Sequence, residues 1–548
     1  MMKTLLVIPK YYDTESGGRF YEMPLGIAYI NAALRKANVD LECLNMNHIE
    51  NKDIYEELKQ VIITKNIGII LCGTITPFFP IIKKIFAAAK EANPDIITVA
   101  GGGAVTSEPL VFAEASGVDY GIIGEGEISD VELVQTLVNG GDVSKVKGIV
   151  YKTENGYKLT EPREVIEDLD TIEFPCYEGF DVEKYLDIQN ISHTYYTYYV
   201  DKPRIMPMTL ARSCPYQCKF CFHPVGNRYR TRSLDNFFAE LDQLIEKYNI
   251  NGIIILDELF SASVERVYEF CARIKPYNLH WLVQMRVDII TEELLRVMRD
   301  AGCYTISYGL ESFSPTVLKN MRKNIKAEDV ENALSLTWDA GIDIQGNFIF
   351  GDELETRHTF YETLSWWFKH PKYSINLAMI ETYPGTGYYR ELVKSGKLTD
   401  ERKFLENGNF NINLTGMNQE EYMRMIIAIR ILYYYYNPIV ATILRLEENN
   451  DGQIVFEFKC PHCGKVNTYI GIDPRIFANK IFRLGCRNCN HRNVFYSVEP
   501  KSLPNYEKLE YLCRMMENAR DEHDFNIAYD NLVDGYMSVR DNDNPFPI

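Results

Sequence analysis

From residue 3 to about residue 136, short apolar runs alternate with segments in which apolar residues return every three or four positions. TLLVI, VDLECLN, IGIILCG, DIITVAG and YGIIG have the length of buried strands, and behind the third of them Phe78, Ile82, Ile85, Phe86 and Ala89 recur near the helical period. This alternation predicts an α/β fold with a doubly wound parallel sheet over residues 1–140. Residues 141–200 read as an irregular connector with a small hairpin around Asn155-Gly156 and an aromatic end, HTYYTYYVDKP. A second alternation over residues 201–400 has the strands MPMTLA, GIIILD, HWLVQM, CYTISYG, DIQGNFIFG and SINLAMI. Its clearest helix is TRSLDNFFAELDQLIEKY, with Ser233 placed to cap. Six such units without a closing pair predict an open, partial (β/α)6 barrel with its chemistry at the strand C-termini. Residues 401–455 read as a helical region, 456–500 as a compact cysteine module, and 501–548 as a helical tail with the Pro-rich end DNDNPFPI.

At 548 residues the chain exceeds what one core supports, in line with several domains. Its formal net charge of -18 opposes a phosphate backbone at long range, so a small-molecule or peptide-like substrate is expected and nucleic acid is not. The opening MMKTLLVIPKYY is too short an apolar run for a signal peptide. The later apolar stretches are broken by Pro77 and Pro80 or carry Arg430, so no membrane span and a cytoplasmic location are expected. Seven of the 13 cysteines fall in two tight clusters, a pattern of metal chemistry in a reducing compartment rather than of disulfides.

Three of the first-domain strands end in GTITP, GGGAVT and GEGE. Glycines at the carboxyl ends of such strands let backbone approach a bulky or phosphorylated ligand; service in tight turns alone is the competing reading. The stretch ARSCPYQCKFCFHP, directly after the first strand of the second series, sets Cys214, Cys218 and Cys221 at unequal steps. Three thiolates cannot close a tetrahedral site. On a 4Fe-4S cluster, which takes one ligand per iron, they leave one iron open to a small molecule. A zinc site completed by His223 is the rival reading. Near the other end, Cys460 and Cys463 in CPHC are matched by Cys486 and Cys489 in CRNC. Four thiolates close their shell, which points to structural zinc in a zinc-ribbon-like module; rubredoxin-like iron or an auxiliary iron-sulfur cluster shares the ligand set. The runs YYTYYV and ILYYYY read as packing before pocket lining.

The spacing C-x3-C-x-aromatic-C at the end of a first barrel strand resembles the signature of the radical SAM superfamily. The resemblance implies that S-adenosylmethionine chelates the open iron and is cleaved to a 5'-deoxyadenosyl radical, with Phe220 beside the adenine. It also implies that Asp257 and Glu258 in IILDELF meet the amino group, Arg286 in QMRVD the carboxylate, and Gly309 and Glu311 in YGLES the ribose. FIFGDELET departs from the family's usual Gly-Pro turn, and ETYPGTGYY matches a loop of structural role. The first 136 residues, with MPLGIAYINAALRKANVDLECLNMN and the three glycine loops, resemble the Rossmann-like cobalamin-binding domain of the superfamily's cobalamin-dependent methyltransferase branch. That implies a cobalamin slot lined by Thr74, Thr76, Gly101, Gly102, Gly103, Gly124, Glu125, Gly126 and Glu127. The Asp-x-His-x-x-Gly motif of other cobalamin proteins is absent, and the only histidine before residue 190 is His48.

What the resemblance implies is methylation of an unactivated carbon or phosphorus centre through the deoxyadenosyl radical and methylcobalamin, with electrons from an external donor of flavodoxin or ferredoxin type. The cofactors do the hard steps, so no side chain is assigned as catalytic. Radical cyclisation, rearrangement or dehydrogenation on the same scaffold is the alternative. An RNA-modifying, methylthiolating relative would carry three more cluster cysteines in its first domain, where only Cys43 and Cys72 stand before the connector. A non-enzymatic cobalamin sensor has no use for the cysteine triad.

Overall fold

The structure, a computed structural model, describes residues 2–11, 21–50, 53–191, 197, 199–260, 262–408, 410–478, 481–497 and 505–538. Most of the aromatic run at 193–198 and the end DNDNPFPI lie outside the described residues.

Seven strands form the first sheet: β1 (Lys3–Ile8), β2 (Leu41–Asn45), β3 (Ile67–Gly73), β4 (Ile97–Gly101), β5 (Tyr120–Ile122), β6 (Ile149–Thr153) and β7 (Gly156–Leu159), in the order β2-β1-β3-β4-β5-β6-β7. The first five run parallel and the last two antiparallel. Strand residues alternate between two helical layers: Leu5, Val7, Ile70 and Cys72 pack on one side, Leu6, Ile8, Ile69 and Leu71 on the other. The order reverses between β1 and β3, and open α/β sheets take ligands in the crevice at such a switch point. The hairpin around Asn155-Gly156 pairs onto this sheet, so the start of the expected connector is built into the first domain. Behind β3 the helix spans Phe79–Ala92, and Phe79 rather than Phe78 starts its buried stripe, because Phe78 sits in the turn before it.

β8 (Ile205–Met208) opens the second sheet, and a ribbon of β9 (Ala211–Arg212) and β10 (Arg230–Thr231) brackets the loop with the first cysteines. β11 (Gly252–Ile255), β12 (His280–Met285), β13 (Cys303–Glu311), β14 (Asp343–Phe350) and β15 (Asn376–Met379) complete six parallel strands in the order β15-β14-β13-β12-β11-β8. This is the partial (β/α)6 barrel that the alternation predicts. Ser233 caps the helix Leu234–Tyr248 by accepting from the Asn236 N–H. Met206, Met208, Ile253, Ile255 and Val283 face the helices, while Ile205, Ile254 and Leu282 turn the other way onto Tyr199 and Tyr304.

The expected helical region at 401–455 is helical only in part. Helices Glu401–Asn407 and Gln419–Tyr435 give way to β16 (Thr442–Glu448) and β17 (Ile454–Lys459). Pro438 cannot continue the helix, and beyond it the β-branched Val440, Thr442 and Ile443, with a turn that places Gly452 at φ +74°, favour a hairpin. With β17, the strands β18 (Val466–Ile470), β19 (Ile481–Gly485) and β20 (Arg492–Tyr496) carry the cysteine module. It docks on the N-terminal end of β14, opposite the barrel mouth. There Asp343 accepts from the Arg492 backbone at 3.1 Å and from its guanidinium at 2.8 Å, and His491 stacks on Trp338 at 3.5 Å. Helices Tyr506–Glu517 and Glu522–Met537 return to pack on the helix Arg357–Lys369, where Arg357 bridges Glu421 and Asp530. No helix among the described residues is long and apolar enough to cross a membrane.

Asp343 and Arg492 are both almost fully buried, so removing one partner strands a desolvated charge. Arg492→Met is expected to lower stability by about 3–5 kcal/mol. Adding Asp343→Leu should recover part of that loss, read by denaturant unfolding of the full chain.

Candidate functional site

The carboxyl ends of β1, β3, β4 and β5 face the barrel mouth across a cleft of about 670 Å³. Its floor is apolar, with Leu6, Leu71, Val99 and Ile122, and its rim carries the three glycine loops. Gly102, at φ +87°, admits no side chain: a Cβ there would lie 2.6 Å from the Thr74 carbonyl oxygen. The close approach lets Thr74 N donate to Gly101 O and Ala104 N to Thr74 O, each at 3.1 Å. Thr74, Gly101, Gly102, Gly103, Gly124, Glu125, Gly126 and Glu127 all line the cleft; Thr76 is buried in the turn beside it and does not. Among the described residues no histidine lines the cleft. His48 is held by the Tyr21 hydroxyl, 2.8 Å from Nε2.

Glu125 and Glu127 also join the two domains. Arg212 on β9 donates to both, at 2.6 Å each, and Arg230 on β10 reaches Glu125 at 2.9 Å. Burial works against the Glu125 carboxylate, but the two guanidiniums and the Ile166 N–H hold it below the usual carboxylate range. The first domain therefore grips the barrel two residues before Cys214. Sequence reading missed both arginines, whose one signal is that basic residues flank the cysteine loop in ARSC and YRTR.

The loop with Cys214, Cys218 and Cys221 leaves β9 through Ser213 at φ +70°. It is fixed from behind at Lys219. The Lys219 N–H donates to Met321 O at 3.0 Å, its carbonyl accepts from Tyr388 N at 3.2 Å, and its ammonium reaches Glu353 at 2.7 Å and Glu391 at 3.4 Å. The ETYPGTGYY segment is the backing surface: a Cβ on Gly387 would lie 3.0 Å from the Lys219 carbonyl oxygen, and one on Gly385 2.6 Å from the Phe222 ring. Phe222 also comes within 3.9 Å of the Cβ position of Gly103, so the loop touches the first domain.

Burial pushes the Cys218 thiol up to about 11 and raises that of Cys214, so these sulfurs keep their protons until a metal displaces them. One tetrahedral ion with sulfur bonds near 2.3 Å needs ligand atoms about 3.8 Å apart. Among the described residues the four C-terminal cysteines are the one group of three or more such side chains whose ligand atoms all lie within 4.8 Å of one another; no three of Cys214, Cys218, Cys221 and His223 do. His223 is engaged by Cys221 and by Glu258, at 2.5 Å, which together push its imidazole up to about 10. The three thiols of this loop therefore do not form a closed single-ion site as they stand.

Phe220, Arg286 and Glu311 gather on the Cys218 side of this loop. β13 ends in a bulge at Gly309–Glu311 that turns Glu311 to φ +65° and pairs it with Lys323 at 2.7 Å. Gly309 leaves the room for that pair, since a Cβ would lie 2.5 Å from both charged groups. Burial works against the Lys323 charge, but Glu311 and Cys218 keep its pKa above the ordinary value. Its ammonium lies 5.7 Å from the centre of the Phe220 ring. Arg286 stacks 3.8 Å from the centre of Tyr216 and pairs with Asp288 at 2.7 Å. No motif announces Lys323 or Tyr216. Glu258 lines the cleft, whereas Asp257 does not: it is buried, accepts from the Leu210 N–H at 2.8 Å and also from Ala211, and ties down the end of β8.

At the far end of the barrel, Cys460 and Cys489 have their sulfurs 3.8 Å apart, and Cys463 and Cys486 3.6 Å, the edges a tetrahedral thiolate shell requires. The two knuckles share one form: Gly464 N donates to Cys460 O and Asn490 N to Cys486 O, both residues at positive φ.

A family model for the radical SAM superfamily matches residues 208–366, and one for the B12 binding domain matches residues 19–134. An uncharacterised methyltransferase of Pyrococcus horikoshii is 27% identical over 407 residues, spanning 73% of this chain and 84% of its own. The anaerobic magnesium-protoporphyrin IX monomethyl ester cyclase of Rubrivivax gelatinosus is 29% identical over 415 residues, spanning 74% and 72%. Among solved structures, the radical S-adenosylmethionine methyltransferase TsrM of Kitasatospora setae superposes with a TM-score of 0.60 at 18% identity, over 72% of this chain and 76% of its own. The cobalamin-dependent S-adenosylmethionine radical enzyme OxsB superposes with a TM-score of 0.62 at 17% identity, over 79% and 67%. Both structures share the fold.

Burial pushes the Asp257 carboxyl up to about 8, so the folded chain keeps a proton there that the unfolded chain has lost. The stability this group contributes is full below about pH 4 and falls as pH rises towards 8. Asp257→Asn is expected to flatten that fall, with urea midpoints from about pH 5 to about pH 8 as the check.

Proposed function

The chain is a radical SAM enzyme with a B12-binding domain ahead of its barrel, and from that premise we propose that it is a cobalamin-dependent methyltransferase. Its target is an unactivated carbon, or phosphorus, of a small-molecule or peptide-like substrate. One observation carries the reading: a single cleft is lined by the glycine loops of the first domain and by Ala211, Arg212, Ser213 and Glu258 of the barrel mouth, so groups bound to either domain face one space. When bound, the corrinoid supplies a transferable methyl group, and the cluster with S-adenosylmethionine supplies a hydrogen-abstracting radical.

The chain's own residues hold, orient and exclude water. Cys214, Cys218 and Cys221 are the cluster ligands. Phe220, Glu258, Arg286, Gly309 and Glu311, joined by Lys323, shape the place of S-adenosylmethionine, and Asp257 positions that wall through the backbone of Leu210 and Ala211. Thr74, Gly101, Gly102, Gly103, Gly124, Glu125, Gly126 and Glu127 form the corrinoid slot, whose apolar floor keeps water from a radical. Cys460, Cys463, Cys486 and Cys489 hold a structural zinc that stiffens the module under the barrel. An external flavodoxin- or ferredoxin-type donor supplies electrons in the cytoplasm, where thiols stay reduced. The methyltransferase relatives support the main reading. The cyclase relative favours a second one, radical cyclisation on the same scaffold.

Two measurements test this. Anaerobic enzyme given methyl-labelled S-adenosylmethionine, a reductant and fractionated small-molecule extract should form 5'-deoxyadenosine and a labelled product; deoxyadenosine beside an unlabelled product supports cyclisation instead. Metal analysis should find about four irons and about one zinc per chain. Cys218→Ala should lose the iron and keep the zinc, and Cys460→Ser the reverse.

A further inference from the structure

The polar side chains of the cleft wall are mostly engaged within the protein. Tyr21 takes a bond from Asn45, Tyr29 meets Thr209, Glu125 and Glu127 hold Arg212, Ser213 donates to Val225 O, and Glu258 holds His223. Two stand apart. The Thr74 hydroxyl is buried without a hydrogen-bond partner, and the Asp130 carboxyl has neither a hydrogen bond nor an ion pair among the described residues. Both line the cleft, and both residues are more than nine-tenths buried, Thr74 7% and Asp130 6% exposed.

Asp130 sits near the start of the helix Gly126–Val138, where Gly126 makes room for it: a Cβ there would lie 2.5 Å from Oδ2. Burial and the neighbouring Glu127 push its pKa up to about 8, so at neutral pH it is a carboxylic acid with one O–H to give and one C=O to receive. A cationic ligand would need the ionised form, and a phosphate would meet a wall already carrying Glu125 and Glu127. A primary carboxamide matches both faces of a neutral acid at once, its oxygen taking the O–H and its N–H meeting the C=O.

We infer that Asp130 binds a primary carboxamide on the rim of the corrin ring, with the Thr74 hydroxyl giving a second hydrogen bond to the same ligand. This rests on the corrinoid reading and deepens it, because the corrin periphery carries such carboxamides and no charged groups.

The test is equilibrium binding of hydroxocobalamin, and of cobinamide, which keeps the corrin amides and lacks the nucleotide tail, followed in the visible spectrum with the full-length protein. Wild type should bind both. Asp130→Asn, similar in shape and itself able to donate and accept, should stay within about threefold of wild type. Asp130→Leu, with Asp130→Ala as the second apolar variant, should weaken both ligands about tenfold or more, and Thr74→Val about threefold. Apolar variants that bind like wild type, or an Asp130→Asn as weak as they are, overturn the inference and leave the corrinoid reading standing. A loss confined to hydroxocobalamin overturns it too, by placing Asp130 on the nucleotide tail. Wild type that binds neither corrinoid overturns the reading itself and the inference with it.

Discussion

Two carboxylates at the end of β5 share one guanidinium from the barrel, and the geometry of the cleft follows from that contact. Glu125, Glu127 and Arg212 are all largely withdrawn from water, so pulling the domains apart at this point would leave charges buried without partners. Glu125 is supported further by Arg230 and by the Ile166 N–H. On the same seam Phe222 of the cysteine loop packs towards Gly103. Charge at the rim and packing beside it thus set how far the glycine loops stand from the cysteine loop.

The cysteine loop has little regular structure of its own and is shaped by what lies behind it. Lys219 is bonded through its N–H, its carbonyl and its ammonium to three separate parts of the barrel. Glycine at 385 makes room for the Phe222 ring, and a side chain at 387 would press on the Lys219 backbone. Backbone strain sits where the chemistry is expected, with Ser213 and Glu311 both in the left-handed region. Their neighbours hold them there: Ser213 Oγ donates to Val225 O at 3.2 Å, and Lys323 fixes the Glu311 carboxylate.

The two sets of cysteines serve opposite ends of the barrel and differ as their spacing demands. The C-terminal four bring their sulfurs together within one small module, and the histidines beside them are committed elsewhere. His491 lies flat on Trp338 and His462 meets the edge of the same ring at 4.9 Å. Burial pushes the His491 imidazole down to about 4, so it stays neutral in that stack. With Asp343 gripping Arg492, the module works as a plug under β14, leaving the mouth of the barrel to the other three cysteines.

Local pattern was enough for most of the architecture. Apolar alternation marks both parallel sheets, a serine before an amphipathic run marks the cap at Ser233, and the paired cysteine steps mark the four thiols that come together at the far end of the barrel. At β16 local pattern predicts helix where the chain forms a strand, because the apolar run before it carries no strand period of its own and the break comes only at Pro438. Tertiary structure alone decided which distant charges meet: Glu125 with Arg212, Lys219 with Glu391, Asp343 with Arg492. It also decided that Asp257 faces backbone rather than the cleft, and that Asp130 is a buried acid without a hydrogen bond or ion pair among the described residues. The reason is range: side-chain period and cysteine spacing are written within a few residues, whereas hydrogen bonds, ion pairs and desolvation act across a few ångströms of space, whatever length of chain lies between.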